Sequence, residues 1–237
     1  MMGANHAAMG AGSWFAVTAT APGALGIITT DPKLVLIGMF TTAGAALLPD
    51  WDHRKATITW SLPPLSNIIA RVLEKVAGGH RAGTHSLLGI MFFTAIAWAA
   101  GLLTHTTSQG HTVNTGAGIV GLFLVSLAVG ALKAIPSSSY FTVWGIALAC
   151  AGFIAWFSPT NPWWVPMSVG VGVAVHILGD FLTVGGVKIF WPIRHDSVAV
   201  PILGKTGEDK LGEILAGTIF GLYFAYALIW TIHALIV

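Results

Sequence analysis

Long apolar runs separated by short polar breaks divide the chain. Segments 86–104, 116–135, 140–157, 164–184 and 212–237 each approach the roughly 20 apolar residues that carry a helix across a bilayer. Segment 34–48 is shorter, and 7–28 is interrupted by Pro22 and several glycines. The pattern therefore predicts six or seven transmembrane helices. Between 61 and 77 the period changes in character. Leu65, Ile68, Ile69, Val72, Leu73 and Val76 recur at helical spacing, while Arg71, Glu74 and Lys75 lie between them. That stretch reads as a short amphipathic helix, either lying in the membrane interface or packed on the bundle from the cytoplasmic side. The expected architecture is an all-α, polytopic membrane helix bundle forming a single unit over 1–237, without internal repeats.

Composition agrees with this pattern. The sequence is 55% hydrophobic and only 8% charged, against about 25% charged in soluble domains. Its 29 glycines suit close helix contacts in lipid. Trp14, Trp60, Trp163, Trp164 and Trp191 fall near expected span ends, as in an interfacial belt. A net charge of +2 gives no reason to expect nucleic acid. A lone Cys150 excludes both an internal disulfide and a cysteine-based metal site. The first residues lack the basic n-region and cleavage site of a secretory signal.

Lysine and arginine set the expected orientation. With seven spans and a cytoplasmic N-terminus, segments 49–85, 136–139 and 185–211 lie inside. Arg54, Lys55, Arg71, Lys75, Arg81, Lys133, Lys188, Arg194, Lys205 and Lys210 are then internal, and only Lys33 is external. The same orientation brings three polar clusters to one boundary: Leu48-Pro49-Asp50-Trp51-Asp52-His53, His80-Arg81-Ala82-Gly83-Thr84-His85-Ser86, and His176-Ile177-Leu178-Gly179-Asp180. His6 joins them at the inner end of the first helix.

Ionisable groups are costly at membrane depth and point to function. His176 and Asp180 are four apart and share a helix face; they chelate a metal, or Asp180 orients a ligating histidine, or the pair is a packing hydrogen bond. Asp50, Asp52 and His53 suit an oxygen-accepting or borderline metal, or form a solvated juxtamembrane charge cluster beside Arg54 and Lys55. His80 and His85 flank Arg81, whose planar guanidinium fits phosphate or carboxylate. Gly78, Gly79 and Gly83 permit a tight backbone, and Thr84 or Ser86 caps the next helix. Taken together, His6, Asp50, Asp52, His53, His80, His85, His176 and Asp180 exceed what a closed structural site needs. They suit one or two divalent ions, zinc foremost, with manganese or iron as alternatives. His105, His111, His195 and His233 read as surface or interface residues. Glu213 reads as complementing a helix N-terminus, with a ligand or base role as the alternative.

These motifs resemble the YdjM-like, LexA-regulated, membrane-bound metal-dependent hydrolases of bacteria. The matching pieces are Asn5-His6, L-P-D-x-D-H from Leu48 to His53, H-R-x-x-T-H-S from His80 to Ser86, and H-x-x-x-D from His176 to Asp180, followed by Thr183, Gly185-Gly186 and Trp191-Pro192. Ala82 stands where family members often carry glycine directly after His-Arg. The resemblance implies a hydrolase of the inner membrane, and a more distant likeness to zinc-dependent phospholipase C and related nucleases implies a phosphoester substrate.

The expected function is metal-dependent hydrolysis of a lipid or lipid-linked phosphoester at the cytoplasmic boundary. Asp50 or Asp52 would be the general base, with the other on the metal, and Arg81 would stabilise an oxyanion or hold a phosphate. A metal-ion or proton-coupled transporter is the alternative, although a transporter would place such groups near the midplane. A scaffold with a structural metal is the third reading.

Overall fold

The computed structural model describes residues 1–133 and 140–237. The expected inner loop at 136–139 lies outside the described residues. The chain is mostly helical. In order come α1 (Gly3–Thr18), α2 (Pro32–Ala45), α3 (Leu65–Val76), α4 (Leu87–Ala100), α5 (Thr115–Ala131), α6 (Tyr140–Phe157), α7 (Trp164–Phe181) and α8 (Lys210–Ile236). Helix α1 sits inside the bundle and packs on α2, α7 and α8; α2 also meets α5 and α7, while α5 pairs with α6 and α4 with α7.

Small residues make this centre possible. A Cβ at Gly10 of α1 would stand 2.8 Å from the Thr42 carbonyl, and one at Gly172 of α7 would stand 2.6 Å from the same atom. The α1 and α7 backbones thus both press on the last turn of α2, as small-residue contacts allow in membrane proteins. This closure brings the start of α1, the end of α2 and the end of α7 to one end of the bundle.

Among the described residues, four stretches are long and apolar enough to span a membrane: Pro32–Asp52, Phe141–Thr160, Trp164–Phe181 and Lys210–Ile236. Helices α4 and α5 are apolar but shorter, with 14 and 17 residues. The expected 86–104 span stops at Ala100 because the chain turns there into a small antiparallel hairpin, β1 (Thr104–Thr106) and β2 (Thr112–Asn114). This hairpin departs from the expected all-α fold. The expected 7–28 span is also corrected. Helix α1 starts earlier and ends at Thr18, and the chain folds back so that Leu25 and Ile28 donate to the Ala16 and Val17 carbonyls.

Trp14 and Trp164 are fully buried in the core, not in an interfacial belt. Trp14 Nε1 donates to the Leu34 carbonyl at 3.3 Å. Trp60 and Trp163 remain exposed. Helix α3 forms where expected. Ser66 and Ala70 face the protein, while Leu65, Ile68, Val72 and Val76 leave an apolar row uncovered.

Candidate metal centre

Each polar cluster sits where a helix begins or ends. Helix α2 stops at Ala45, and Pro49 opens a short 3₁₀ turn, Pro49–Asp52, that carries the two carboxylates. Gly78 and Gly79 take positive φ after α3 and bring the chain back toward the bundle. Another 3₁₀ turn, Gly83–His85, then precedes α4. Ser86, rather than Thr84, caps α4 by accepting from Gly89 N. His176 and Asp180 project from the last turns of α7, and His6 from the first turns of α1.

His85 Nε2 and His176 Nε2 face each other at 3.1 Å, and both side chains are fully buried. Asp50 Oδ1 is 3.7 Å from each of these nitrogens. Asp180 Oδ2 lies 3.6 Å from His85 Nε2 and 3.7 Å from His176 Nε2. A tetrahedral zinc ion with bonds of about 2.1 Å has ligand–ligand edges of about 3.4 Å. The five separations bracket that value.

The opposite ring nitrogens settle which atoms face inward. The Ala46 carbonyl at the end of α2 has no helical partner, and His176 Nδ1 reaches it at 2.6 Å. An N–H on Nδ1 leaves Nε2 as a bare acceptor. His85 Nδ1 lies 3.0 Å from Thr84 Oγ1, and that hydroxyl in turn donates to Asp52 Oδ2. With both Nδ1 atoms donating, the facing Nε2 atoms need a cation between them, a proton on His85 or a metal ion, and rings held by such outer hydrogen bonds are typical of metal-site histidines.

His6 extends the centre. It stacks on His176 with ring centroids 3.7 Å apart. Its Nε2 lies 3.2 Å from Asp180 Oδ1 but outside hydrogen-bond geometry, so both ring nitrogens are buried and unpaired. Gly179 leaves the room for this ring, since a Cβ there would meet His6 Cε1 at 3.0 Å. The Met1 amine also donates to Asp180 Oδ1, at 2.8 Å. His6 with His176 and Asp180, and Asp50 with His85 and His176, each form a group tight enough to hold an ion; Asp52, His80 and His85 form a third.

The remaining expected residues stand in an adjoining layer. Asp52 is buried with both oxygens engaged, Oδ1 by His80 Nδ1 at 2.7 Å and Oδ2 by Thr84. His53 lies against His80, centroids 4.6 Å apart, and belongs to none of the three groups. Arg81 takes φ 60 and directs its guanidinium onto Asp180 Oδ2 (Nε, 3.1 Å), Thr183 (Nη1, 3.2 Å) and Thr206 (Nη2, 3.1 Å). Glu213 is tied to Asn5 Nδ2 at 2.7 Å and to the Met2 amide, away from the centre. His111 stacks on Trp156, far from the site in the hairpin region.

Burial opposes a charge on His85, but hydrogen bonds and charge from Asp50 and Asp52 outweigh it and raise its pKa to about 9. The metal-free centre therefore holds a proton at neutral pH where a metal would bind. His53 moves the other way: partial burial lowers its pKa, and neighbouring His80 lowers it further. A cavity of about 770 Å³ opens beside the centre, lined by Asp50, His53, His80, Arg81 and Asp180.

Thr84, Thr206 and the Ala46 carbonyl were not recognisable as site groups from sequence. Thr84 carried a capping signal and a place in the H-R-x-x-T-H-S motif but no site role, and Thr206 and Ala46 carried none. Comparison with known proteins found no matching curated protein and no matching solved structure. A family model described as YdjM inner membrane protein matches residues 1–134 and 137–236. That match runs through all three clusters and His6, and the chain belongs to the YdjM inner membrane protein family.

Proposed function

We propose that this protein is an integral-membrane, metal-dependent hydrolase acting on a phosphoester of a lipid or lipid-linked substrate. The observation that carries this reading is the pair of facing Nε2 atoms of His85 and His176, flanked by Asp50 and Asp180, beside an open cavity. Zinc fits these donors best, with one ion against His85 and His176 and room for a second beside His6. Manganese and iron share the same preferences. In this topology α4 and α5 complete a bundle of six or seven spans, and the lysine and arginine distribution puts the N-terminus and the centre on the cytoplasmic side.

Asp50, His85, His176 and Asp180 would hold a divalent ion, which would supply Lewis acidity and lower the pKa of water at the site. The protein's own groups divide the remaining work. Asp50 is the more exposed of the centre's two cavity-lining carboxylates, its side chain 23% exposed. It would serve as a ligand and, because both Asp52 oxygens are engaged, is the carboxylate of its motif left to accept a proton from water. Asp52 has no free oxygen; it holds Thr84 and His80 and, through Thr84, the His85 ring. Arg81 fixes Asp180 and keeps further N–H donors for a phosphoryl oxygen as charge develops there.

Reconstitution into proteoliposomes tests the reading. Release of phosphate or diacylglycerol from membrane lipids, dependent on added zinc and lost in Asp180→Ala, is the expected result. Metal uptake into the vesicles without turnover would favour the transporter and overturn the hydrolase.

A further inference from the structure

The cavity wall carries more positive charge than the metal centre needs. Lys55, Arg81, Lys133 and Lys205 line it together, facing two carboxylates, Asp50 and Asp180. Both carboxylates belong to the metal centre, and Arg81 is already committed to Asp180. Three lysines from three distant segments therefore converge on one cavity. Lys205 has an exposed ion pair with Glu208 at 2.7 Å. Among the described residues, Lys55 and Lys133 have no ion-pair partner. Like charges gathered around one hollow repel each other, and an anion in the hollow offsets that cost.

The backbone adds a second observation. Among the described residues, Arg81 (φ 60) and Lys133 (φ 50) are the non-glycine residues with positive φ. Both are cations, and both line this cavity. Lys133 stands just past the end of α5, where glycine usually takes the left-handed turn. Backbone strain of this kind gathers at ligand-binding positions. Lys205 is joined to the centre through its neighbour Thr206, which accepts from Arg81.

We propose that Lys55, Lys133 and Lys205 form an anion subsite beside the metal centre that takes a phosphate group carrying two or more negative charges. Ammonium groups bind phosphate as point charges and tolerate varied geometry. The subsite favours a phosphomonoester or diphosphate over a zwitterionic phosphodiester, whose cationic headgroup the same lysines would repel. This substrate class rests on the hydrolase reading above; the anion binding does not.

The test uses the full chain in detergent, stripped with EDTA or loaded with zinc, titrated calorimetrically with inorganic pyrophosphate at low salt. Metal content is measured on the same samples. Lys55→Gln combined with Lys133→Gly should weaken pyrophosphate binding at least about tenfold in both forms. Lys133→Gly keeps the left-handed turn, so a loss cannot be assigned to backbone disruption; Lys133→Arg should retain binding. Equal affinity in wild type and the double variant, or no binding to the stripped wild type, overturns the subsite. A stripped, metal-incompetent protein that still binds pyrophosphate through the lysines keeps the subsite and removes the hydrolase reading. Repeating the titration in phosphatidylcholine nanodiscs with and without phosphatidic acid identifies the source. Competition supports a subsite for a lipid headgroup, and unchanged affinity supports one for a soluble phosphate.

Discussion

Two neighbouring groups of polar residues differ in how their hydrogen bonds are met. In the layer of Asp52, His80 and Thr84, the buried carboxylate is satisfied: Asp52 accepts from His80 Nδ1 on one oxygen and from Thr84 on the other. In the centre formed by His6, Asp50, His85, His176 and Asp180, the nitrogens either confront each other or lack a partner. Buried polar groups are normally paired, and unpaired imidazole nitrogens gathered beside carboxylates suit an ion. The same residue types, Asp and His, thus fall into a supporting layer and a set prepared for something absent from the chain itself.

Breaking the centre should have the largest effect. His85→Ala or His176→Ala removes one of the facing nitrogens, and bound metal and hydrolysis should vanish together, read by elemental analysis and phosphate release. An unchanged metal content would defeat the ligand assignment. Next comes Gly179→Ala, whose new methyl group displaces His6. Zinc affinity should fall by about ten- to a hundredfold in a chelator competition, as for lost outer contacts at metal sites. Wild-type affinity would mean that His6 stands outside the metal's reach.

Asp52→Asn probes the supporting layer. The centre keeps its ligands but loses the anchor of His85, so metal should bind about tenfold more weakly without being lost. Complete loss would move Asp52 into the centre and erase the distinction between the two groups. Acidification should act through the centre as well. Metal binding must displace the proton that Asp50 and Asp52 stabilise on His85, whose pKa is raised to about 9. Below that pH apparent affinity should drop by about tenfold per unit, with one proton released per ion, and a flat profile would show that His85 is not displaced. The smallest effect is expected for His53→Ala, which touches His80 but no member of the centre. Its metal affinity should stay within about threefold of wild type, and a larger loss would extend the centre beyond the groups described.

The sequence made the members of these groups legible but not their division. Asp50 and Asp52 are two residues apart in one motif, yet one faces the cavity and the other is buried behind it. A 3₁₀ turn rotates them to different sides, and no spacing rule predicts that turn. The anchor of His176 is a backbone carbonyl of α2, 130 residues away, which carries no side-chain signature. Membrane helices were legible from apolar length where that length was ample, as in α7 and α8. The approach failed at α1, where burial among other helices replaces hydropathy, and at residues 104–114, where threonines and a Gly110 turn form a hairpin too short to register as a period. Trp14 and Trp164 misled for a related reason: proximity to a helix end does not distinguish an interfacial indole from one packed in the core.

The central claim is that the unpaired donors of the centre hold a divalent ion. Elemental analysis of the detergent-purified protein, prepared without chelator, tests it most directly. The account predicts about one or two zinc, manganese or iron ions per chain, lost in His85→Ala, whereas less than about 0.1 ion per chain in the wild type would contradict it.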